Sequence, residues 1–125
     1  MEYLAPGLIH ERSVDGLFAT FILNGNTPQT IEAWLAKVRT LFAEWSEQIP
    51  CLMLHDLRKI DSYTAMKHFQ KQLLATTRPE LKLYTALVVD DDTSHPCYHF
   101  FTQGQYHRFI SRSAALMWLL KQVNP

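Results

Sequence analysis

The sequence predicts an α/β domain whose mixed sheet, of about five strands, carries helices packed on its faces. Three observations support this class. A hairpin pattern lies near the amino end, two later apolar runs have the continuous hydrophobicity of buried strands, and amphipathic stretches separate them. No repeat or linker divides the 125 residues, so residues 1–125 are interpreted as a single domain.

The hairpin is predicted from the dipeptide Asp15-Gly16, which is flanked by the apolar-rich runs Leu8–Val14 and Leu17–Leu23. Asp-Gly supplies the positive φ angles of a tight two-residue turn. Two antiparallel strands are therefore expected at the start of the domain.

The first helix is expected to begin at Thr27 and Pro28 and to end before Pro50. Thr27 is placed to cap the helix, and a proline in the first turn loses no hydrogen bond. Apolar residues at spacings of three and four predict one buried stripe, formed by Ile31, Trp34, Leu35, Val38, Phe42 and Trp45.

A central parallel strand is predicted at Cys51–Leu57, because Cys51–Leu54 is apolar without alternation and polar groups appear only at the carboxyl end, at His55 and Asp56. The next buried strand is predicted at Leu83–Val89. A brief edge strand is expected at Arg108–Ile110. Three further helices are predicted: one from Asp61 or Ser62 to Arg78, with Met66, Phe69 and Leu73 inward; a short one from Ser94 to Gly104; and a last one capped by Ser111, with Leu116, Leu119, Leu120 and Val123 as its stripe.

Composition restricts the classes of partner. Twelve basic residues balance twelve acidic ones, which removes the overall positive field that nucleic-acid binding usually needs and disfavours nucleic acids as partners. The amino end lacks a secretory pattern, and no apolar run approaches the roughly 20 residues of a membrane helix, so a cytoplasmic protein is expected. Neither Cys51 nor Cys97 suggests a disulfide framework, and reduced thiols are expected at both positions.

Leu52-Met-Leu-His-Asp-Leu57 forms a buried strand that ends in Asp-Leu, and Arg108–Leu119 combines a brief strand with the last helix. With these two segments as its best anchors, nearly the whole chain resembles the sporulation anti-sigma-factor-antagonist-like (STAS-like) superfamily, in particular its bacterial single-domain branch. The first segment is similar to the buried strand that precedes the family's functional loop, and the second resembles the family's last strand and helix. The resemblance implies a mixed sheet with helices on its faces. It also implies docking onto partner proteins rather than catalysis.

Family regulation usually works through a phosphorylated Ser or Thr that follows Asp-Ser and precedes Gly at the start of a helix. The matching stretch here is Asp61-Ser62-Tyr63-Thr64, with Tyr63 at the acceptor position and Thr64 at the glycine position. A phosphate on Ser62 would be stabilised by the helix terminus. The alternative is that Asp61 or Ser62 serves only as the helix N-cap.

Two alternatives involve metal ions. His95, Cys97 and His99, with His107 further on, contain a histidine pair at helical spacing that can share a transition metal, although the spacing matches no established zinc pattern. Asp56 and the run Asp90-Asp91-Asp92 end neighbouring strands, where carboxylates can hold Mg²⁺. His55, next to Asp56, should point to the opposite face of the sheet.

The aromatic residues suggest a third alternative, a pocket for a small apolar or lipid ligand. The candidates are Trp34, Trp45, Trp118, Phe18, Phe21, Phe100 and Phe101. Any aromatic residue exposed on a helix would instead indicate self-association, and Trp45, at the polar end of its helix, is the first candidate for such exposure.

The favoured hypothesis is a non-enzymatic protein-interaction or regulatory module that forms a homodimer and needs no cofactor. Its contact site is predicted at Asp56, Asp61, Ser62, Tyr63 and Thr64. The small-ligand protein and the metal-dependent enzyme are the rival hypotheses.

Overall fold

The computed structural model describes residues 2–25, 27–60, 71, 78–90 and 104–123. These residues form a six-stranded mixed sheet in which the strands follow one another in chain order. The strands are β1 (Glu2–Ala5), β2 (Leu8–Arg12), β3 (Phe18–Leu23), β4 (Cys51–Asp56), β5 (Leu83–Val88) and β6 (Gln105–Phe109). The first three pair antiparallel, and β3 to β6 pair parallel, so the predicted fold class is confirmed.

Two helices of the described residues pack on opposite faces of the sheet. Helix α1 (Pro28–Glu44) lies between β3 and β4 in the chain, and helix α2 (Arg112–Val123) follows β6. The core under α1 contains Phe21 and Met53, whereas the core under α2 contains Leu52 and Leu54. Adjacent residues of β4 therefore enter different cores, as the alternation of a strand requires. None of the described helices is long and apolar enough to cross a membrane.

The hairpin forms where it was predicted, but its turn differs. Ser13 donates a backbone hydrogen bond to Phe18 at 3.0 Å, so the loop contains four residues and not two. Asp15 keeps the negative φ that is usual for a residue other than glycine. Its carboxylate accepts bonds from the Ser13 hydroxyl at 2.6 Å and the Leu17 amide at 3.1 Å. Only Gly16 takes the positive φ, at 74°, where glycine is free of steric strain.

Helix α1 begins as predicted. The Thr27 hydroxyl accepts a bond from the Thr30 amide at 3.2 Å, and Pro28 opens the first turn. The predicted stripe is buried, with Trp34, Val38 and Phe42 wholly inaccessible.

The expectation of an exposed aromatic residue at Trp45 is wrong. Trp45 is only 4% exposed, and its indole donates a bond to the Pro50 carbonyl at 3.1 Å. The guanidinium group of Arg12 lies over its ring, 4.0 Å from the centroid. Arg78 fixes the same end of the helix, since its Nη1 donates to the carbonyls of Phe42 (3.0 Å), Ala43 (3.1 Å) and Trp45 (2.8 Å).

The parallel strands β4 and β5 lie where the apolar runs predicted them, and the edge strand β6 begins three residues earlier than expected. Gly104 precedes β6 with a φ of 96°, and a Cβ there would lie 2.5 Å from the Leu83 carbonyl oxygen. Ser111 caps α2 as predicted, because its hydroxyl accepts a bond from the Ala114 amide at 3.2 Å.

The α2 stripe is confirmed in part. Leu119 is buried and Leu116 is half-buried, but Leu120 is 43% exposed. The predicted helix with Met66, Phe69 and Leu73 lies outside the described residues except for Lys71, which is helical, and its predicted end at Arg78, which is not helical. The predicted short helix from Ser94 also lies outside them, apart from Gly104.

The centre of the α1 core contains a polar side chain. His55 of β4 is wholly buried, and its Nδ1 accepts a hydrogen bond from the Trp34 indole at 3.1 Å. The Phe21 ring stacks on it with the centroids 5.2 Å apart. Burial lowers the pKa of His55 from 6.5 to about 3, because the imidazolium ion cannot be solvated there.

We expect this histidine to make the fold acid-sensitive. Below pH 6.5 the unfolded chain gains a proton on His55, but the folded protein does not until about pH 3. The free energy of unfolding must therefore decrease as the pH is lowered through this window, by up to about 1.4 kcal/mol per pH unit. When the pH is lowered from about 7.5 to about 5, the free energy of unfolding of His55→Phe should decrease by about 2 kcal/mol less than that of the wild type. Urea unfolding at both pH values measures this difference.

The control is His107→Asn, at an exposed position on β6. This variant should keep the acid dependence of the wild type. An equal pH dependence in His55→Phe and wild type would contradict the assignment of the effect to His55.

Candidate functional site

The buried carboxylate of Asp56 lies at the carboxyl end of β4. Its side chain is 6% exposed and accepts two bonds from the Arg58 guanidinium group, from Nε to Oδ1 at 2.9 Å and from Nη2 to Oδ2 at 2.7 Å. The Arg58 amide also donates to Oδ1 at 3.3 Å. This planar, two-point contact compensates for the loss of carboxylate hydration. The hydrogen bond to Asp56 raises the pKa of Arg58, so this guanidinium group stays charged.

Arg112 connects this carboxylate to α2. Its Nε lies 3.6 Å from Asp56 Oδ2, within ion-pair distance but beyond hydrogen-bond distance. The contact joins the first residue of α2 to the last residue of β4. Asp56 therefore fixes the beginning of the loop after β4 and orients the amino end of a helix that follows much later in the sequence.

His55 and Asp56 point to opposite faces, as expected. The imidazole of His55 faces Trp34 of α1, and the carboxylate of Asp56 faces the arginines on the α2 side. The two side chains therefore form no base-carboxylate pair. Burial also keeps the imidazole neutral and away from solvent.

The aspartate hypothesis has little support from the described residues. Cationic side chains surround Asp56, and Asp90 is exposed at the end of β5. A carboxylate already paired with guanidinium groups is a poor ligand for Mg²⁺, because positive neighbours repel the ion. Across the described residues, no three His, Cys, Asp or Glu side chains form a group that fits a metal ion. Asp91 and Asp92 lie outside those residues.

Of the histidine cluster, only His107 lies among the described residues; His95, Cys97 and His99 lie outside them. The ring centroid of His107 is 4.6 Å from that of Trp118 and 6.3 Å from that of Phe109. This histidine therefore packs with aromatic side chains between β6 and α2.

The predicted contact loop begins in the described part of the chain and then leaves it. Leu57 and Ile60 are 3% and 6% exposed, and they form a turn in which the Ile60 amide donates to the Leu57 carbonyl at 3.0 Å. The predicted contact residues Asp61, Ser62, Tyr63 and Thr64 lie outside the described residues, so their role stays a prediction.

A groove that the sequence did not predict runs between α2 and the β2–β3 hairpin. We call it the α2 groove; it is half-open, has a volume of about 550 Å³, and is lined by Glu11, Arg12, Ser13, Val14, Phe18, Thr20, Leu54, Arg112, Ser113 and Leu116. Sequence alternation gives Phe18 and Thr20 a common face of β3 but cannot place α2 beside them. Val14 at the hairpin tip was the one available signal, as an apolar residue next to a turn.

Among the described residues, the aromatic side chains do not converge on the α2 groove, where Phe18 is the single aromatic wall residue of that set. Trp34, Trp45 and Phe21 belong to the core under α1. Trp118 packs against Tyr84 at 6.0 Å between ring centroids. Phe100 and Phe101 lie outside the described residues.

Cys51, at the start of β4, is a free and wholly buried cysteine. Burial raises the pKa of its thiol to about 12, because the thiolate would lie in an apolar environment. The side chain therefore serves as a small apolar core residue rather than a nucleophile.

Comparison with known proteins gave no relatives: no protein-family model, curated protein or solved structure matches this chain at a significant level. The site must therefore be interpreted from its own chemistry.

The two arginines beside Asp56 should contribute unequally to stability. Arg58→Ala leaves a buried carboxylate without its two-point partner, and we expect the free energy of unfolding to decrease by about 2 kcal/mol. Arg112→Ala removes a half-exposed guanidinium group at 3.6 Å, so its loss should stay below about 1 kcal/mol. Urea unfolding at neutral pH measures both. Equal losses would contradict the dominant role of Arg58.

Proposed function

We propose that this domain is a non-enzymatic interaction module that binds a partner protein in the α2 groove. The proposal is supported mainly by a half-open groove of about 550 Å³ with apolar side chains exposed at its margins. Val14 is fully exposed at the hairpin tip, and Met117 on α2 is 63% exposed. Exposed apolar side chains beside a groove are typical of surfaces that meet another protein.

Helix α2 extends this surface beyond the groove. By helical periodicity, Met117 and Leu120 continue the row that begins with Ser113 and Leu116. Leu120 is 43% exposed. On the neighbouring sheet face, Tyr3 of the edge strand β1 is 74% exposed and pairs with Ile9. A partner segment could thus bury apolar side chains from both the helix and the strands.

The groove favours a protein segment over an enclosed small ligand. Its volume falls within the range of ligand pockets, about 300–1,000 Å³, but the groove is half-open, and Phe18 is the one aromatic side chain among its described wall residues. Its remaining walls mix Glu11, Arg12 and Ser13 with Leu54 and Leu116. Mixed polar and apolar walls suit the side chains of a polypeptide.

The resemblance to STAS-like proteins supports the same proposal, since members of that superfamily act by docking onto partners. The α2 groove reaches Arg112, which contacts Asp56, the first residue of the predicted contact loop. We therefore propose that the groove and this loop, with Asp61, Ser62, Tyr63 and Thr64, form one contact surface. A second copy of the chain is one partner that this surface would accept.

Photocrosslinking in cells that produce the protein naturally tests the proposal. Val14 is replaced by p-benzoyl-phenylalanine, which its full exposure allows without disturbing the fold. Thr40, exposed on α1, receives the same residue as the matched control. We expect a discrete crosslinked product, either with a partner or with a second copy, from position 14 and not from position 40.

A second change shows whether the crosslink depends on the groove. Leu116→Glu places a charge in the groove wall and should abolish the product, whereas Ala36→Glu on the exposed side of α1 should preserve it. The absence of a product from position 14, or a product that survives Leu116→Glu, would refute the proposal. Native mass spectrometry of the purified protein identifies the rival, because a bound small molecule adds mass that denaturation removes.

A further inference from the structure

A second cavity lies where the parallel strands β3 and β4 end. We call it the basic pocket; its volume is about 250 Å³, and its polar walls come from Asn24, Asp56, Arg58, Lys59 and Arg112. A water molecule occupies about 30 Å³ in the liquid, so the pocket has room for a small ion with some hydration. Carboxyl ends of parallel strands are also where open α/β sheets place ligands.

Among the described wall residues, the pocket carries an excess of positive charge. Arg58, Lys59 and Arg112 supply three cations there, and Asp56 is the one carboxylate in that described set. Asp90 acts on the charge of Arg58 but does not line the cavity. Helix α2 begins at Arg112, so the positive end of its dipole adds to the same field.

Asp56 holds the arginines without using all of their donors. It accepts one bond from Nε and one from Nη2 of Arg58, which leaves three of the five N–H groups of that guanidinium. In the part of the chain that the structure describes, the Arg112 guanidinium makes an ion pair at 3.6 Å but no hydrogen bond. Within that same part, the Lys59 ammonium has no ion-pair partner.

We infer that the basic pocket binds an oxyanion, a phosphate or carboxylate group, through Arg58, Lys59 and Arg112. Asp56 acts as a positioning residue, because its buried carboxylate fixes the Arg58 guanidinium group at the pocket wall before the anion arrives. A guanidinium group matches the geometry of two oxyanion oxygens, and an ammonium group supplies a further charge. The anion neutralises the excess positive charge that these side chains otherwise impose on one another.

The inference is independent of the proposed partner, since it concerns a small ion and a different cavity. Arg112 lines both the basic pocket and the α2 groove. An anion bound here would therefore lie at the end of the groove.

Titration calorimetry on the full chain tests the inference, with inorganic phosphate, pyrophosphate and succinate as probes. Ionic strength is held constant with sodium chloride, because general screening by salt would otherwise imitate binding. We expect saturable binding of one anion per chain. Binding of the phosphate probes alone identifies a phosphate site, and binding of succinate alone identifies a carboxylate site.

Charge-removing variants locate the site. Lys59→Gln and Arg112→Gln should each weaken binding by about tenfold, because each removes a charge-assisted contact. Lys121→Gln removes an equal charge near the other end of α2 and should change affinity by less than about twofold. The inference is overturned if none of the three probes saturates, or if Lys121→Gln weakens binding as much as the pocket variants do.

Discussion

The position of β4 is the constraint on which the rest of this structure depends. All six of its residues are buried, and it pairs parallel with β3 on one side and β5 on the other. Every side chain of the strand must find an apolar or paired environment. His55 satisfies this condition as a neutral ring bonded to Trp34, and Asp56 satisfies it as an ion held by Arg58. One strand thus supplies both the buried histidine of the core and the anchor of the site.

In the part of the chain that the structure describes, helices α1 and α2 cover the sheet unequally. Helix α1 contacts β1 and β2 and reaches β4 through the bond from Trp34 to His55, whereas α2 contacts β4, β5 and β6 on the other face. Beside α2, the face of β2 and β3 therefore borders the α2 groove instead of a further described helix. The same packing brings Arg112 to Asp56 and creates the basic pocket. Both candidate sites therefore lie along the border between α2 and the part of the sheet that α2 leaves uncovered.

Local physical chemistry explains which parts of the fold the sequence predicted. The Thr27 cap, the apolar stripe of α1 and the buried runs of β4 and β5 depend on neighbours within a few residues, and all were confirmed. The short strand β1 was missed because four residues, Glu2–Ala5, carry little periodic signal. The predicted turn length at Asp15 and the predicted exposure of Trp45 were wrong. Ser13 pairs with Phe18 through the backbone and so closes a longer loop, and Trp45 is buried with its ring against Arg12 and its indole bonded to Pro50.

The sequence by itself determined the α/β class, the central position of β4 and the opposite directions of His55 and Asp56, because strand alternation and hydrophobic periodicity are local properties. Only the tertiary structure decided that Arg112 reaches Asp56 across more than fifty residues of chain, and that Phe18 and Leu116 line one groove. These contacts arise from the packing of α2 on the sheet. Residue spacing in the sequence does not predict such long-range contacts, so the candidate sites could be identified only from the folded structure.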